Sequence, residues 1–282
     1  MKFHSHFLKV HGNELHIRTA GDRQYPHLLC VHALTRTGRD YDHVAHALAE
    51  RYFLIMPDLP GRGLSSWPED ASEGYRLPVY ADILNDVANY FESTHVHWLG
   101  TSLGGLIALC AGPNALDGRL KSLILNDVGP EVPQQIAEAI AHYTMNVPEF
   151  AHASDMLAHV KQLYAPFGID HEDHWRIFLR RSLRRNDRGM FTFQHDTRIL
   201  EGAIAHPEDM KPLWSHFEQM AVPILLFHGA QSPVLPEELL QRMIQVRPDM
   251  RVARIEECGH APYLDTDEQL NILSDFLDQI AS

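Results

Sequence analysis

Ser102 and His260 stand out because their surroundings, and not only their residue types, suit nucleophilic catalysis. Ser102 is the centre of Gly100-Thr101-Ser102-Leu103-Gly104, a G-x-S-x-G spacing between an apolar run ending at Leu99 and a helical pattern opening near Leu103. A strand that turns sharply into a helix on small residues exposes the serine hydroxyl. The helix start then aims N–H groups and a positive dipole end at developing negative charge. A serine hydroxyl is a weak nucleophile near neutral pH and needs a base beside it. With 20 histidines in the chain, type alone selects none of them. Position selects His260: Cys258-Gly259-His260-Ala261-Pro262 follows the last predicted strand and precedes the last predicted helix, where the order nucleophile, acid, histidine places the base.

The elements that must position these residues follow from periodicity. Residues 7–10 and 15–19 flank the turn-rich His11-Gly12-Asn13 and predict an antiparallel hairpin. Strand-like runs at 28–31, 53–56, 96–99 and 120–125 then alternate with helical spacing at 41–48, 83–91 and 103–111, a rhythm that implies a parallel sheet. After Pro130 the rhythm is lost for about 80 residues rich in Ala, His, Arg and Met, with helical patches and no strong strand run. It resumes with a strand at 222–227, a helix near 237–246, a strand at 251–255 and a last amphipathic helix. The expected fold class is therefore α/β, with a core of residues 1–130 and 216–282 and an inserted helical cap over 131–215. A chain of 282 residues suits one core with an accessory segment better than two equal domains.

Composition narrows the function. Acidic residues outnumber basic ones 37 to 24, and a formal charge of -13 opposes non-specific binding to nucleic acid or an anionic membrane, so a small molecule is the expected partner. The N-terminus has no continuous apolar run, and no later run approaches the ~20 apolar residues of a membrane span, so a soluble, cytoplasmic protein is expected. Cys30, Cys110 and Cys258 lack metal-ligand spacing and are expected as reduced thiols. The pairs His4/His6 and His171/His174 have no convincing further ligand, and exposed polar positions are the plainer reading, so neither metal nor cofactor is expected. A homo-oligomer remains open.

The motifs together resemble the α/β-hydrolase superfamily over nearly the whole chain. Val31-His32-Ala33-Leu34 is similar to its oxyanion strand end, residues Pro57-Asp58-Leu59-Pro60-Gly61-Arg62-Gly63-Leu64-Ser65 to its D-x-x-G-x-G-x-S loop, and Gly259-His260-Ala261-Pro262 to its histidine motif. His32-Ala33-Leu34-Thr35-Arg36 and Leu125-Asn126-Asp127-Val128-Gly129-Pro130 look like a group of capped bacterial hydrolases that includes enzymes of small carboxylate-bearing substrates. The resemblance implies an α/β-hydrolase fold with a mostly parallel central sheet flanked by helices. It also implies an oxyanion hole of the Leu34 and Leu103 backbone N–H groups. Ala33 stands where the family commonly has Gly, which narrows the backbone angles open to the second donor. Asp58 and Arg62 read as ordering their loop.

Two loops can supply the acid. In Gly229-Ala230-Gln231-Ser232-Pro233-Val234-Leu235 the positions where related hydrolases place Asp hold Ser232 and Pro233, and Glu237 reads as the first turn of a helix. The earlier loop offers Asp127 directly after its strand, with turn capping as the plainer alternative. Asp127 is the expected acid, and Ser232 is expected to matter little. Arg176, Arg180, Arg181, Arg184, Arg185 and Arg188 fall at helical spacing. A solvated face is the plain reading, while the sharper one has Arg36, with a cap arginine, binding a substrate carboxylate bidentately. The expected reaction is hydrolysis of a small ester, lactone or related acyl compound through an acyl-enzyme. The resemblance keeps carbon–carbon hydrolysis of vinylogous diketones as an alternative, and a ligand-binding receptor on the same fold is another. Serine in place of aspartate at the turn argues against haloalkane dehalogenase or epoxide hydrolase chemistry.

Overall fold

A computed structural model describes residues 1–169 and 171–281. The chain opens with the predicted hairpin, β1 (His4–Val10) and β2 (Asn13–Ala20). It continues through β3 (His27–Val31), α1 (Asp42–Leu48), β4 (Phe53–Pro57), α2 (Ala71–Gly74), α3 (Leu77–Tyr90), β5 (Val96–Thr101), α4 (Leu103–Ala111) and β6 (Leu120–Asn126). An insertion follows, with α5 (Gln134–Met145), α6 (Ala153–Leu163), α7 (Glu172–Ser182), β7 (Leu183–Arg185), β8 (Phe191–Phe193), α8 (Glu201–Ala205) and α9 (Trp214–Gln219). The core resumes with β9 (Ile224–Gly229), α10 (Glu237–Val246), β10 (Arg251–Ile255) and α11 (Asp267–Ala281). Eight strands form one sheet in the order β1-β2-β4-β3-β5-β6-β9-β10, in which β2 runs antiparallel to β1 and β4 and every other neighbouring pair is parallel.

The central strands are apolar on both faces because helices cover both. Leu29, Val31, Trp98, Leu123 and Leu125 pack with α3, α4 and α10. Their alternates Leu28, Cys30, Leu99 and Ile124 pack with α1 and α11, as the two-residue period of a strand requires. The insertion has its own small cluster around Met156, Val160, Phe178 and Phe193, closed by Tyr263 from the core. α9 is an exception within it, since Phe217 belongs to the main core.

Two expectations for the insertion need correction. It is not wholly helical, because β7 and β8 form a hairpin across a turn at Asn186 and Gly189. Strands of three residues are too short to show a two-residue period. The arginines at 176–188 do not share one helix either: α7 ends at Ser182, and Arg184, Arg185 and Arg188 lie exposed on or beside the hairpin.

His32, His97 and His195 are among the buried histidines, His32 and His195 on the side of the sheet that faces the insertion and His97 near the opposite end of β5. Burial lowers each to about 4 from an ordinary value near 6.5. All three are neutral in folded and unfolded chains above pH 6.5. Below it the unfolded chain takes up the proton first, so each histidine costs about 1.4 kcal/mol of stability per pH unit as pH falls towards 4. Urea unfolding at pH 7, 6, 5 and 4.5 should show a steep loss of stability below pH 6.5, and a flat profile would contradict the burial of these rings.

Candidate active site

Ser102 occupies the turn between β5 and α4 with φ 50° and ψ -112°, a conformation that costs an L-residue roughly 1–3 kcal/mol. The turn closes only because its neighbours lack side chains. A Cβ on Gly104 would stand 2.0 Å from the Val31 carbonyl oxygen, and one on Gly100 would stand 2.5 Å from the Gly104 backbone. Ser102 N–H donates to the Asn126 carbonyl at 3.0 Å, while its own carbonyl accepts from Gly105 and Leu106 N–H at 2.9 and 3.1 Å. The strain is thus held by the adjacent strand and the first turn of α4.

His260, in the loop between β10 and α11, places Nε2 3.0 Å from Ser102 Oγ and Nδ1 2.6 Å from Asp127 Oδ2. Asp127 follows β6 directly and is fully buried with φ 55°. The residues that the sequence nominated therefore form one hydrogen-bonded chain. Glu237, the carboxylate of the later loop region, is far from this role: it is exposed and paired with Arg254.

The later loop nonetheless takes part, which the sequence reading missed. Ser232 Oγ donates to Asp127 Oδ2 at 2.5 Å, and Gly229 N–H donates to Oδ1 at 3.0 Å. Ser232 Oγ in turn accepts from Val234 and Leu235 N–H, both at 3.2 Å, which orients its proton towards the carboxylate. A serine at the position where related hydrolases carry Asp was the available signal: a hydroxyl there can serve the carboxylate that has moved to β6.

The oxyanion candidates lie on either side of the serine. Leu103 is the first residue of α4, so its N–H has no intrahelical acceptor. Leu34 and Leu103 both line the cavity that contains Ser102. The Ala33 carbonyl accepts from Arg36 N–H at 3.0 Å and from His32 Nδ1 at 2.8 Å, while His32 Nε2 accepts from Leu59 N–H at 2.9 Å. Because Nε2 is an acceptor, Nδ1 carries the proton, and the low affinity of buried His32 for a second proton keeps it so. Carbonyl and N–H point in opposite directions across a trans peptide, so fixing the Ala33 carbonyl fixes the direction of Leu34 N–H. Arg62 Nε then holds the Leu34 carbonyl at 2.7 Å, and Asp58 accepts Gly38 N–H and Leu64 N–H. Ala33 is absent from the residues of positive φ, so its methyl group costs nothing here.

The cavity holds about 310 Å³, near the lower end of the roughly 300–1,000 Å³ typical of ligand sites. Its walls are mainly apolar, with Leu103, Leu106 and Val234 from the core and Ile136, Ile140 and Phe167 from the insertion. A larger hollow of about 870 Å³ lies by Arg23, His27, His95 and Lys121, near the opposite ends of the strands, and is lined by no serine or cysteine.

Arg36 does not fill the role expected of it. Its Nε and Nη2 hold Asp40 at 2.7 and 2.8 Å, its Nη1 donates to Ser182, and its guanidinium carbon stacks 3.4 Å from the centre of the Phe178 ring. Only 1% of Arg36 is exposed, so it ties the insertion to the core and offers no fork to a substrate. Arg76, the other arginine on the cavity wall, is bound to Asp209 and Glu73. Arg181 is bound to Asp42 and Tyr263. Among the described residues no group of three His, Cys, Asp or Glu could hold a metal, no two cysteines are joined in a disulfide, and no helix is long and apolar enough to cross a membrane.

This geometry supports proton transfer from Ser102 to His260 with Asp127 fixing the imidazole. Folded Asp127→Asn should lose up to ~10⁴ in kcat, because an amide favours the wrong tautomer and cannot stabilise the imidazolium. Ser232→Ala should now cost about 10-fold or more, the loss of one hydrogen bond to a charged group. Steady-state kinetics on variants matched for thermal unfolding checks both, and an unaffected Asp127→Asn would remove Asp127 from the mechanism.

The family model described as alpha/beta hydrolase fold matches residues 26–267. The chain is 33% identical over 271 residues to the 3-hydroxybutyrate-oligomer hydrolase of Cupriavidus necator, covering 91% of this chain and 90% of that protein. It is 26% identical to the pimeloyl-(acyl-carrier protein) methyl ester esterase of Nitrosomonas europaea, covering 90% and 96%. A solved hydrolase structure from Rickettsia typhi superposes with a TM-score of 0.88 over 99% of each chain at 24% identity. The chain is a hydrolytic enzyme and belongs to the alpha/beta hydrolase fold family.

Proposed function

We propose that the protein hydrolyses small, neutral carboxylic esters through an acyl-enzyme on Ser102. The observation that carries this reading is the continuous chain Ser102 Oγ, His260 Nε2, His260 Nδ1, Asp127 Oδ2, with its serine end on the wall of an apolar cavity. Ser102 Oγ attacks the ester carbonyl as His260 Nε2 takes its proton, and the carbonyl electrons move onto the oxygen, stabilised by Leu103 and Leu34 N–H. Collapse breaks the bond to the alkoxy group, which leaves as the alcohol with the proton from His260. A water then gives its proton to His260 and attacks the acyl-serine. The second collapse returns that proton to Ser102 and releases the acid.

The apolar walls and the two committed arginines favour a neutral ester over an acidic one, since a carboxylate in such a cavity would lack a cationic partner. The insertion acts as a cap that supplies half of the acyl wall. The Cupriavidus relative is named for oligomers of a hydroxy acid, whose linkages are esters of this kind.

The wild-type enzyme should cleave p-nitrophenyl butyrate and be labelled once per chain by a fluorophosphonate. Folded Ser102→Ala should lose the label and at least ~10³-fold in kcat. An unlabelled but folded wild type would support a binding role instead, and near-normal turnover by Ser102→Ala would exclude this mechanism.

A further inference from the structure

The cavity is apolar except for a few side chains whose polar atoms are almost all engaged. The Tyr75 hydroxyl donates to Asp196 at 2.7 Å, the Tyr80 hydroxyl accepts from Arg62, and the Tyr164 hydroxyl shares a 2.9 Å hydrogen bond with Thr35. The arginines on the wall are held by aspartates. Tyr143 differs: it lines the same cavity, and its hydroxyl has no hydrogen-bond partner among the described residues.

Tyr143 is placed there by α5. Ile136, Ala139, Ile140 and Tyr143 recur three and four residues apart, so one face of the helix forms the cavity wall and Tyr143 is the polar point on it. It is close enough to Tyr164 for that phenol to affect its titration, and Tyr164 is bonded to Thr35, the neighbour of Leu34. Burial is the main cause that raises the Tyr143 phenol well above its ordinary value, so it stays protonated and can donate. A ligand that covers this hydroxyl without accepting its proton would leave a buried donor unpaired, at a cost comparable to a lost hydrogen bond.

We propose that Tyr143 is a specificity-determining residue that donates to a second, neutral oxygen on the substrate, so the preferred esters carry a hydroxyl, ketone or further ester carbonyl besides the scissile group. The proposal rests on the ester-hydrolase reading above and names the substrate class that reading leaves open. A carboxylate would accept the same hydrogen bond, yet both cavity arginines are already neutralised, so its charge would go uncompensated. A plain alkyl chain would fill the apolar wall and strand the phenol. The neutral oxygenated chain alone satisfies both.

The test compares kcat/KM for p-nitrophenyl butyrate, p-nitrophenyl 3-hydroxybutyrate and the mono-p-nitrophenyl ester of succinate, with wild type and Tyr143→Phe. Cleavage of the plain butyrate tests the ester-hydrolase reading by itself, so its failure is seen separately. The wild type should favour the hydroxy ester over both others, and Tyr143→Phe should reduce the hydroxy-to-plain ratio by about 5- to 10-fold, the worth of one hydrogen bond. A general reshaping of the cavity would move both substrates together and leave the ratio unchanged. A ratio unchanged within twofold, or a wild-type preference for the succinate ester, overturns the proposal. If Tyr143→Phe does not fold, the wild-type ratio decides: a value of one or below is contrary to the assignment.

Discussion

A carboxylate with no access to water must find every hydrogen bond inside the protein, and Asp127 is such a group. Its two oxygens are met by His260 from the loop after β10, and by Gly229 N–H and Ser232 from the loop after β9. The charged acid at the end of β6 therefore requires β6, β9 and β10 to lie side by side in parallel, with their C-terminal ends level. The sheet order provides this: β9 pairs with β6 on one edge and β10 on the other. Asp127 N–H donates to the Phe227 carbonyl at 2.8 Å, which continues the ladder into the loop and turns the carboxylate towards the histidine.

The serine side of the site obeys a different constraint, that of backbone approach. Gly104 packs against the Val31 carbonyl and Gly100 against the start of α4, so β3, β5 and α4 meet more closely than any side chain would allow. That closeness brings Leu34, three residues beyond β3, to the same cavity as Leu103. A hydrogen-bonded frame of His32, Arg36 and Arg62 then sets the peptides on either side of Leu34. Residues whose motif resembled a signature of chemistry thus act mainly by fixing backbone.

The sequence carried much of this because the signals were local. The helices at 103–111 and 237–246 and the strand at 251–255 have the boundaries that periodicity predicts. The Gly100 to Gly104 spacing could be read without knowing the fold. Long-range pairing left weaker traces. Arg36 looked free because its partners, Asp40 and Ser182, include one 146 residues away on α7. Ser232 looked like a missing acid because the carboxylate it serves is 105 residues earlier. The β7–β8 hairpin escaped notice because three residues cannot establish a strand period. Tyr143 had no signal at all, since an unpartnered hydroxyl is a property of the packed cavity and not of the residues beside it.

The central claim is that Asp127 accepts the Nδ1 proton of His260, and proton NMR observes that proton directly. In protein with ¹⁵N-labelled histidine, a short, charge-assisted hydrogen bond to a buried carboxylate should give a strongly downfield Nδ1–H resonance, protected from exchange with solvent. It should vanish in His260→Ala and in folded Asp127→Asn, and shift in Ser232→Ala. Persistence of the same resonance in folded Asp127→Asn would show that another group holds the histidine and would contradict the account.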